Sequence, residues 1–222
     1  MKGIIPILLM YQAQGVVQGM VDYFHKGGGV MWLLLIIAIL ALAVIIERFY
    51  TLFRLRVNPR KFVVEVIDII ESEGVGAAME FCSRNASVVA KICQAALEKA
   101  GETREIIEEN VARRASVELA FLDRGMLWLA SFTTLAPILG FLGTVTGMIR
   151  AFAAVAAAGE VEPTLVASGI SEALITTATG LLIAAPIVIF HTFFSSRINA
   201  FSKEMEEAAN TLIEYILESK VK

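Results

Sequence analysis

Apolar residues run without a charge from Gly27 to Ile46 and from Gly125 to Ile149, and from Pro163 to Ser196 with Glu172 as the only interruption. Each run reaches the roughly 20 residues a helix needs to cross a bilayer. The second and third exceed it, which predicts tilt or extension beyond the lipid. The pattern predicts an all-α integral membrane protein with three transmembrane helices, at 27–52, 125–157 and 166–196.

Between the first two spans, residues 53–124 change to helical periodicity with polar faces. Asn58-Pro59 is an N-cap followed by proline at the first helical position. Val63, Ile67 and Ile70 fall on one face, and Gly74 closes that helix. A second helix is expected over about 87–100, stopping at Gly101, and a third from Thr103, with Ile107, Val111, Ala115 and Leu122 at helical spacing. Only Gly125 interrupts this third helix before the second span, so one continuous helix is expected there. In the tail, 197–222, Ile198, Phe201, Met205, Ala208, Leu212 and Tyr215 are spaced 3, 4, 3, 4 and 3 apart, a heptad seam. Two partners suit that seam: the chain's own helices between the first and second spans, or a neighbouring subunit. The arm 1–26 is expected to form an interfacial helix ending at Gly27-Gly28-Gly29, in preference to a cleaved leader.

Charge sets the expected orientation. Arg48, Arg54, Arg56, Arg60 and Lys61 follow the first span, Arg113, Arg114 and Arg124 precede the second, and Arg197 and Lys203 follow the third. The 158–165 loop has no Lys or Arg. The positive-inside rule then places 53–124 and the tail in the cytoplasm, with the N-terminus and the short loop outside.

Composition agrees with a membrane class: 57% of the residues are hydrophobic, more than soluble domains of this length usually carry. A formal charge of −3 without a basic patch gives no sign of nucleic-acid binding. Cys82 and Cys93 lack metal-site spacing and are expected to be reduced core thiols. No zinc motif, phosphate loop, nucleophile elbow or dinucleotide fingerprint occurs, and no cofactor is expected. The chain is therefore not expected to be an enzyme.

The second span carries the most informative chemistry. Ala136, Gly140, Gly143, Gly147 and Ala151 recur every three or four residues, and small residues mark packing faces in lipid. Pro137 and Pro186 each free a carbonyl four residues earlier and are expected to bend their helices. Freed carbonyls at membrane depth are tolerated where protein or a wet cavity satisfies them. The second and third spans are antiparallel across a short loop. Thr144 lies 14 residues before Ala158 and Thr177 lies 14 residues after Pro163, about 21 Å along each helix. Arg150 and Glu172 lie at matching depth nearer the loop, and Pro137 and Pro186 lie deeper. Charge, hydroxyl and proline thus follow one another inward on both helices. An intramembrane carboxyl group usually faces a bundle interior and serves ion movement. Glu172 is either such a carrier or the partner of Arg150. Thr144 and Thr177 either line a path or bond their own helices at the i−4 carbonyl. Thr176 and Thr179 share a face with Glu172, extending that stripe or packing.

The stretches "APILGFLGTVTGMI" and "GISEALITTATGLLIAAPIVI" resemble the second and third spans of the ExbB/TolQ/MotA proton-channel family. Three spans with a large segment after the first are similar to the ExbB and TolQ branch; MotA proteins have four. The resemblance implies a homopentamer whose central pore encloses single transmembrane helices of an ExbD- or TolR-like partner. That partner supplies an aspartate, protonated from one side and deprotonated to the other. The resemblance places the pore threonines at Thr144 and Thr177 and the third-span glutamate at Glu172, with Thr176 beside them. Pro137, Gly140, Gly143, Gly147, Gly180 and Pro186 would shape and pack the wall. It also implies a bacterial inner membrane, a transported proton and a TonB- or TolA-like protein receiving the work. A non-conducting membrane scaffold is the alternative. A solute transporter is disfavoured, because three spans contain no internal repeat.

Overall fold

The computed structural model describes residues 18, 19, 21–54 and 58–219, and every described regular element is helical. We number seven helices: α1 Val30–Arg54, α2 Pro59–Glu73, α3 Val75–Arg84, α4 Val88–Leu97, α5 Arg104–Asp123, α6 Met126–Ala158 and α7 Pro163–Glu218. A short helical stretch, 21–26, precedes α1. Expectations for 1–17, including leader cleavage, lie outside the described residues. The chain divides into two units, one of residues 1–44 and 128–190 and the other of 45–127 and 191–222.

The first unit holds the spans. Among the described residues three helical runs are long and apolar enough to cross a membrane: Val30–Leu52 in α1, Arg104–Ala158 through α5 and α6, and Pro163–Glu218, which is α7. Their outward faces are apolar: Trp32, Leu42, Phe141, Leu182 and Ile189 are all more than half exposed. Water would penalise that surface by about 25 cal/mol per Å², whereas acyl chains do not. This is a multi-pass membrane protein. α6 and α7 have 33 and 56 residues, roughly 50 and 84 Å at ~1.5 Å per residue, against about 30 Å of hydrocarbon. The third span and the tail, separate by composition, are one unbroken helix. Pro137 and Pro186 both lie inside continuous helices.

The second unit has a core of the kind found in soluble proteins. α2 begins as its sequence predicts: Asn58 accepts from the Arg60 and Lys61 amides at 3.1 and 3.3 Å, Pro59 takes the first helical position, and Gly74 closes the helix. The single helix expected near 87–100 starts at Ser87, whose hydroxyl accepts from the Ala90 amide at 3.2 Å. α3, before it, is a further helix that the periodicity did not resolve. Phe62, Val63 and Val66 of α2 pack with Ile92 of α4, Ile107 of α5, and Met205, Leu212 and Ile216 of α7. The heptad seam of the tail is thus spent inside the protomer. Met205, Ala208 and Leu212 are buried, with Phe201 and Tyr215 at the edge. Cys82 and Cys93 are buried free thiols in this core. A shared hydrogen bond with Cys82, together with burial, pushes the Cys93 thiol well above its usual range, so it stays protonated.

α5 and α6 follow one another as one helical run, Arg104–Ala158, as expected, marked by a two-residue turn. Arg124 and Gly125 form a turn between Asp123 and Met126. Arg48, only 4% exposed, packs against that turn. Its Nη1 donates to the Leu122 carbonyl at 2.5 Å, while Nε and Nη2 bind the Glu47 carboxylate at 2.6 and 2.9 Å. A methyl group at Gly125 would lie 2.8 Å from Arg48 Nε, so the absent side chain makes room for the guanidinium. The Thr51 hydroxyl supports the other side, donating to Glu47 at 2.8 Å. Arg48, expected only to report orientation, is therefore a structural plug.

Two outcomes follow. Leu212→Ala, at a fully buried position, is expected to cost ~2–5 kcal/mol, seen as a lowered unfolding midpoint of the detergent-solubilised protein. Arg48→Met keeps the bulk but leaves the Leu122 carbonyl without this donor; a loss of ~1–3 kcal/mol is expected in the same assay, with Lys91→Met, at a half-exposed site, losing less.

Candidate functional site: the α6–α7 seam

Small residues set how close α6 and α7 come. Methyl groups added at Gly140 or Gly147 would lie 3.1 and 3.0 Å from the Thr176 and Gly169 carbonyls. At Gly180 the distance to the Ala136 carbonyl would be 2.7 Å, and at Gly143 the distance to Thr176 Oγ1 would be 2.2 Å. The contacts pair 136 with 180, 140 with 177, 143 with 176 and 147 with 173, an antiparallel register in which the sum of the paired numbers changes little. Gly140, Gly147 and Gly180 meet backbone across the seam, the closest approach a helix pair can make, while Gly143 faces the Thr176 side chain.

The threonines divide between this seam and the surface. Thr176 is fully buried in the notch left by Gly143. Its hydroxyl donates to the Ala173 and Glu172 carbonyls of its own helix at 2.9 and 3.1 Å. Thr176 therefore belongs to the packing seam and does not extend a lining stripe on the protomer surface. Thr179 also bonds its own helix, donating to Ile175 at 2.8 Å. Thr177 differs, because its hydroxyl crosses to α6 and donates to the Gly140 carbonyl at 3.1 Å. Thr144, half-buried, donates to the Phe141 carbonyl at 2.6 Å. The Thr177 hydroxyl thus ends one helical turn from Thr144, as their equal depth requires.

On the outer side of α6, Phe141, Thr144, Val145, Met148, Ile149 and Phe152 form an exposed, largely apolar surface. Their spacing puts them on one helical face. Five of the six side chains are apolar, and the Thr144 hydroxyl is the polar one.

Nearer the 159–162 turn, Arg150 and Glu172 form the ion pair that their depths allow, Nη1 to Oε1 at 2.5 Å. The Glu172 side chain is 17% exposed and that of Arg150 55%. Both come from spans, where an unpaired charge is expensive. Pairing lowers that cost, and the long Arg150 side chain can hold its charge near the interface. Pro137 is half-buried and Pro186 exposed, and both lie farther from the turn than the threonines.

Sequence reasoning missed two contributors. Gly28 lies against the ion pair, although its place in a triple glycine suggested only a helix terminator. Arg48 had the signal of belonging to the Glu47-Arg48 pair that ends a charge-free run, yet nothing in one dimension paired it with Gly125.

The profile of the MotA/TolQ/ExbB proton channel family matches residues 84–207. An ExbB-like biopolymer transport protein of Synechocystis sp. is 35% identical over 180 residues, 79% of this chain and 71% of that protein. ExbB of Salmonella typhimurium is 31% identical over 117 residues, 51% of this chain and 48% of the relative. TolQ of Haemophilus influenzae is 38% identical over 87 residues, 39% of this chain and 38% of its own. A solved structure of C. jejuni MotAB superimposes with a TM-score of 0.64 at 18% identity, covering 97% of this chain and 88% of that one. That likeness is one of fold.

The seam makes a direct prediction. Gly143→Val forces α6 from α7 and is expected to cost ~1–3 kcal/mol by overpacking. Adding Thr176→Ala, which empties the facing volume, should recover part of the loss in thermal unfolding; equal midpoints for the single and double variants would contradict the contact.

Proposed function

Because this chain belongs to the MotA/TolQ/ExbB proton channel family, we propose that it is the channel-forming subunit of a stator-type motor that turns a proton gradient into movement of a partner. Family members are transport proteins and not enzymes. In this reading the chain is ExbB-like. It assembles as a homopentamer in a bacterial inner membrane around ExbD- or TolR-like single-span helices, and it works on a TonB- or TolA-like protein. Residues 58–124 and the end of α7 lie in the cytoplasm, and the 159–162 turn lies outside.

One observation carries the proposal: the exposed face of α6 has five apolar side chains and one hydroxyl. An apolar helix with a single carboxyl group is the chemical complement of that surface. A hydroxyl serves such a carboxyl in both states, donating to the carboxylate and accepting from the acid. The Thr144 and Thr177 protons both rest on backbone carbonyls, which leaves their oxygen lone pairs to accept from a protonated acid. Donating to a carboxylate requires the hydroxyl to rotate away from its carbonyl. That costs about 0.5–1.5 kcal/mol, less than the ~2.3 kcal/mol a unit charge gains per 100 mV. The gradient is therefore large enough to drive the switch. Glu172, with Arg150 as its counter-charge, lies farther along the same path.

The same two backbone bonds favour a second reading, in which the hydroxyls only secure the helices and the chain is a non-conducting scaffold. Thr177→Val separates the two. It preserves shape and removes the proton donor. With the complex still co-purifying, proton-driven work should fall about tenfold or more, the scale of ~1.4 kcal/mol on the coupled step. Full activity would sustain the scaffold instead.

A further inference from the structure

The Arg150–Glu172 pair has a third participant, the backbone at Gly28. Gly28 has φ +68°, in the left-handed region. It is pinned on both sides: its N–H donates to the His25 carbonyl, and its own carbonyl accepts from the Met31 amide, each at 3.3 Å. A methyl group at this position would lie 2.1 Å from Glu172 Oε1 and 2.9 Å from Arg150 Nη1. The peptide therefore lies directly on the pair. Its neighbours behave differently. A methyl group at Gly27 would meet the Met31 side chain at 2.4 Å, and one at Gly29 would meet nothing within 4 Å. Of three consecutive glycines, position 28 is the one whose missing side chain is required by the carboxylate.

We propose that Gly28 is a positioning residue: its bare backbone forms a lid that holds the Glu172 carboxylate against Arg150 and shields it from water near the 159–162 turn. The importance of that carboxylate to proton movement rests on the function proposed above; the lid itself rests on geometry alone. Two requirements meet at this position, a left-handed backbone and no Cβ, and glycine satisfies both. From α6 the charged group facing Glu172 is Arg150. The covering segment presents backbone, and its His25 ring is turned back to the Val21 carbonyl at 2.8 Å. The contacts at Gly27 from α1 and α7, Met31 and Ile175, are apolar. When Glu172 takes up a proton, the guanidinium loses its partner and the lid loses the ionic floor beneath it. Arg150, already half exposed, can then move to the interface.

The test measures access to Glu172 and not motor output. The full chain in native membranes is treated with a membrane-permeable carbodiimide, and modification of Glu172 is followed by peptide mapping. Gly28→Ala should raise the modification rate about tenfold, the change expected when a local opening becomes ~1.4 kcal/mol easier. Arg150→Gln should also raise it, and Gly29→Ala should leave it at the wild-type rate. A wild-type rate in Gly28→Ala while Arg150→Gln rises would overturn the lid, as would an equal rise in Gly29→Ala. Should Gly28→Ala fold poorly, its loss of thermal stability is compared in wild-type and Glu172→Ala backgrounds. Removal of the carboxylate makes room for the methyl, so the loss should shrink; an unchanged loss would overturn the contact. Failure of the proton reading would appear in the work done by Thr177→Val and leave this labelling contrast intact.

Discussion

The close approach of α6 and α7 along Gly140, Gly143, Gly147 and Gly180 is the constraint on which the candidate site depends. In lipid no hydrophobic force pulls two apolar helices together, because acyl chains solvate leucine as well as another leucine does. What remains is dispersion at short range and hydrogen bonding across the gap. Both need small side chains, since each ångström of separation forfeits much of the contact energy. Backbone meeting backbone at Gly140, Gly147 and Gly180 also fixes the register, which brings Thr177 to the Gly140 carbonyl and Glu172 to Arg150.

The polar groups of the spans then sort by their distance from that seam. Thr176, inside it, is satisfied by its own helix and filled in by the Gly143 notch. Thr177 is engaged across it. Thr144 lies at its margin, on the exposed apolar face of α6, with oxygen lone pairs available to an incoming group. The order from buried to accessible is an order from packing to chemistry. A hydroxyl with no remaining freedom holds helices together, and one at an accessible apolar surface can exchange partners.

The second unit is packed around an apolar core, as soluble domains are. Its core is a contiguous apolar cluster drawn from α2, α3, α4, α5 and the end of α7. Glu118, the one buried carboxylate among its described residues, is met by Lys91 at 2.8 Å and Arg114 at 3.3 Å. α7 serves both units along a single helix, with threonine and glycine in the span and a heptad seam beyond it. The turn at Arg124–Gly125 shows the same economy of small residues: one missing side chain admits a guanidinium that binds the buried carbonyl of Leu122.

Local chemistry was legible in the sequence. Charge-free runs long enough for a bilayer named the three spans, the Asn58-Pro59 and Gly74 signals bounded α2, and small-residue spacing marked the packing face of α6. Counting residues from the turn put Arg150 level with Glu172 and Thr144 level with Thr177, because antiparallel helices with equal rise convert number into depth. Rotation and partners lay beyond that reasoning. Depth does not say which way a side chain points, so it could not separate buried Thr176 from cross-bonded Thr177. Nor could it tell that the tail seam closes on its own protomer. Arg48 reaches Leu122 across 74 residues and Gly28 reaches Glu172 across most of the chain; such contacts follow from how helices pack, and no local pattern encodes them. The sequence by itself determined which segments enter lipid and which residues share a level there. Only the tertiary structure decided which of those residues touch, because contact depends on helix rotation and separation, and these are settled jointly by every side chain in the seam.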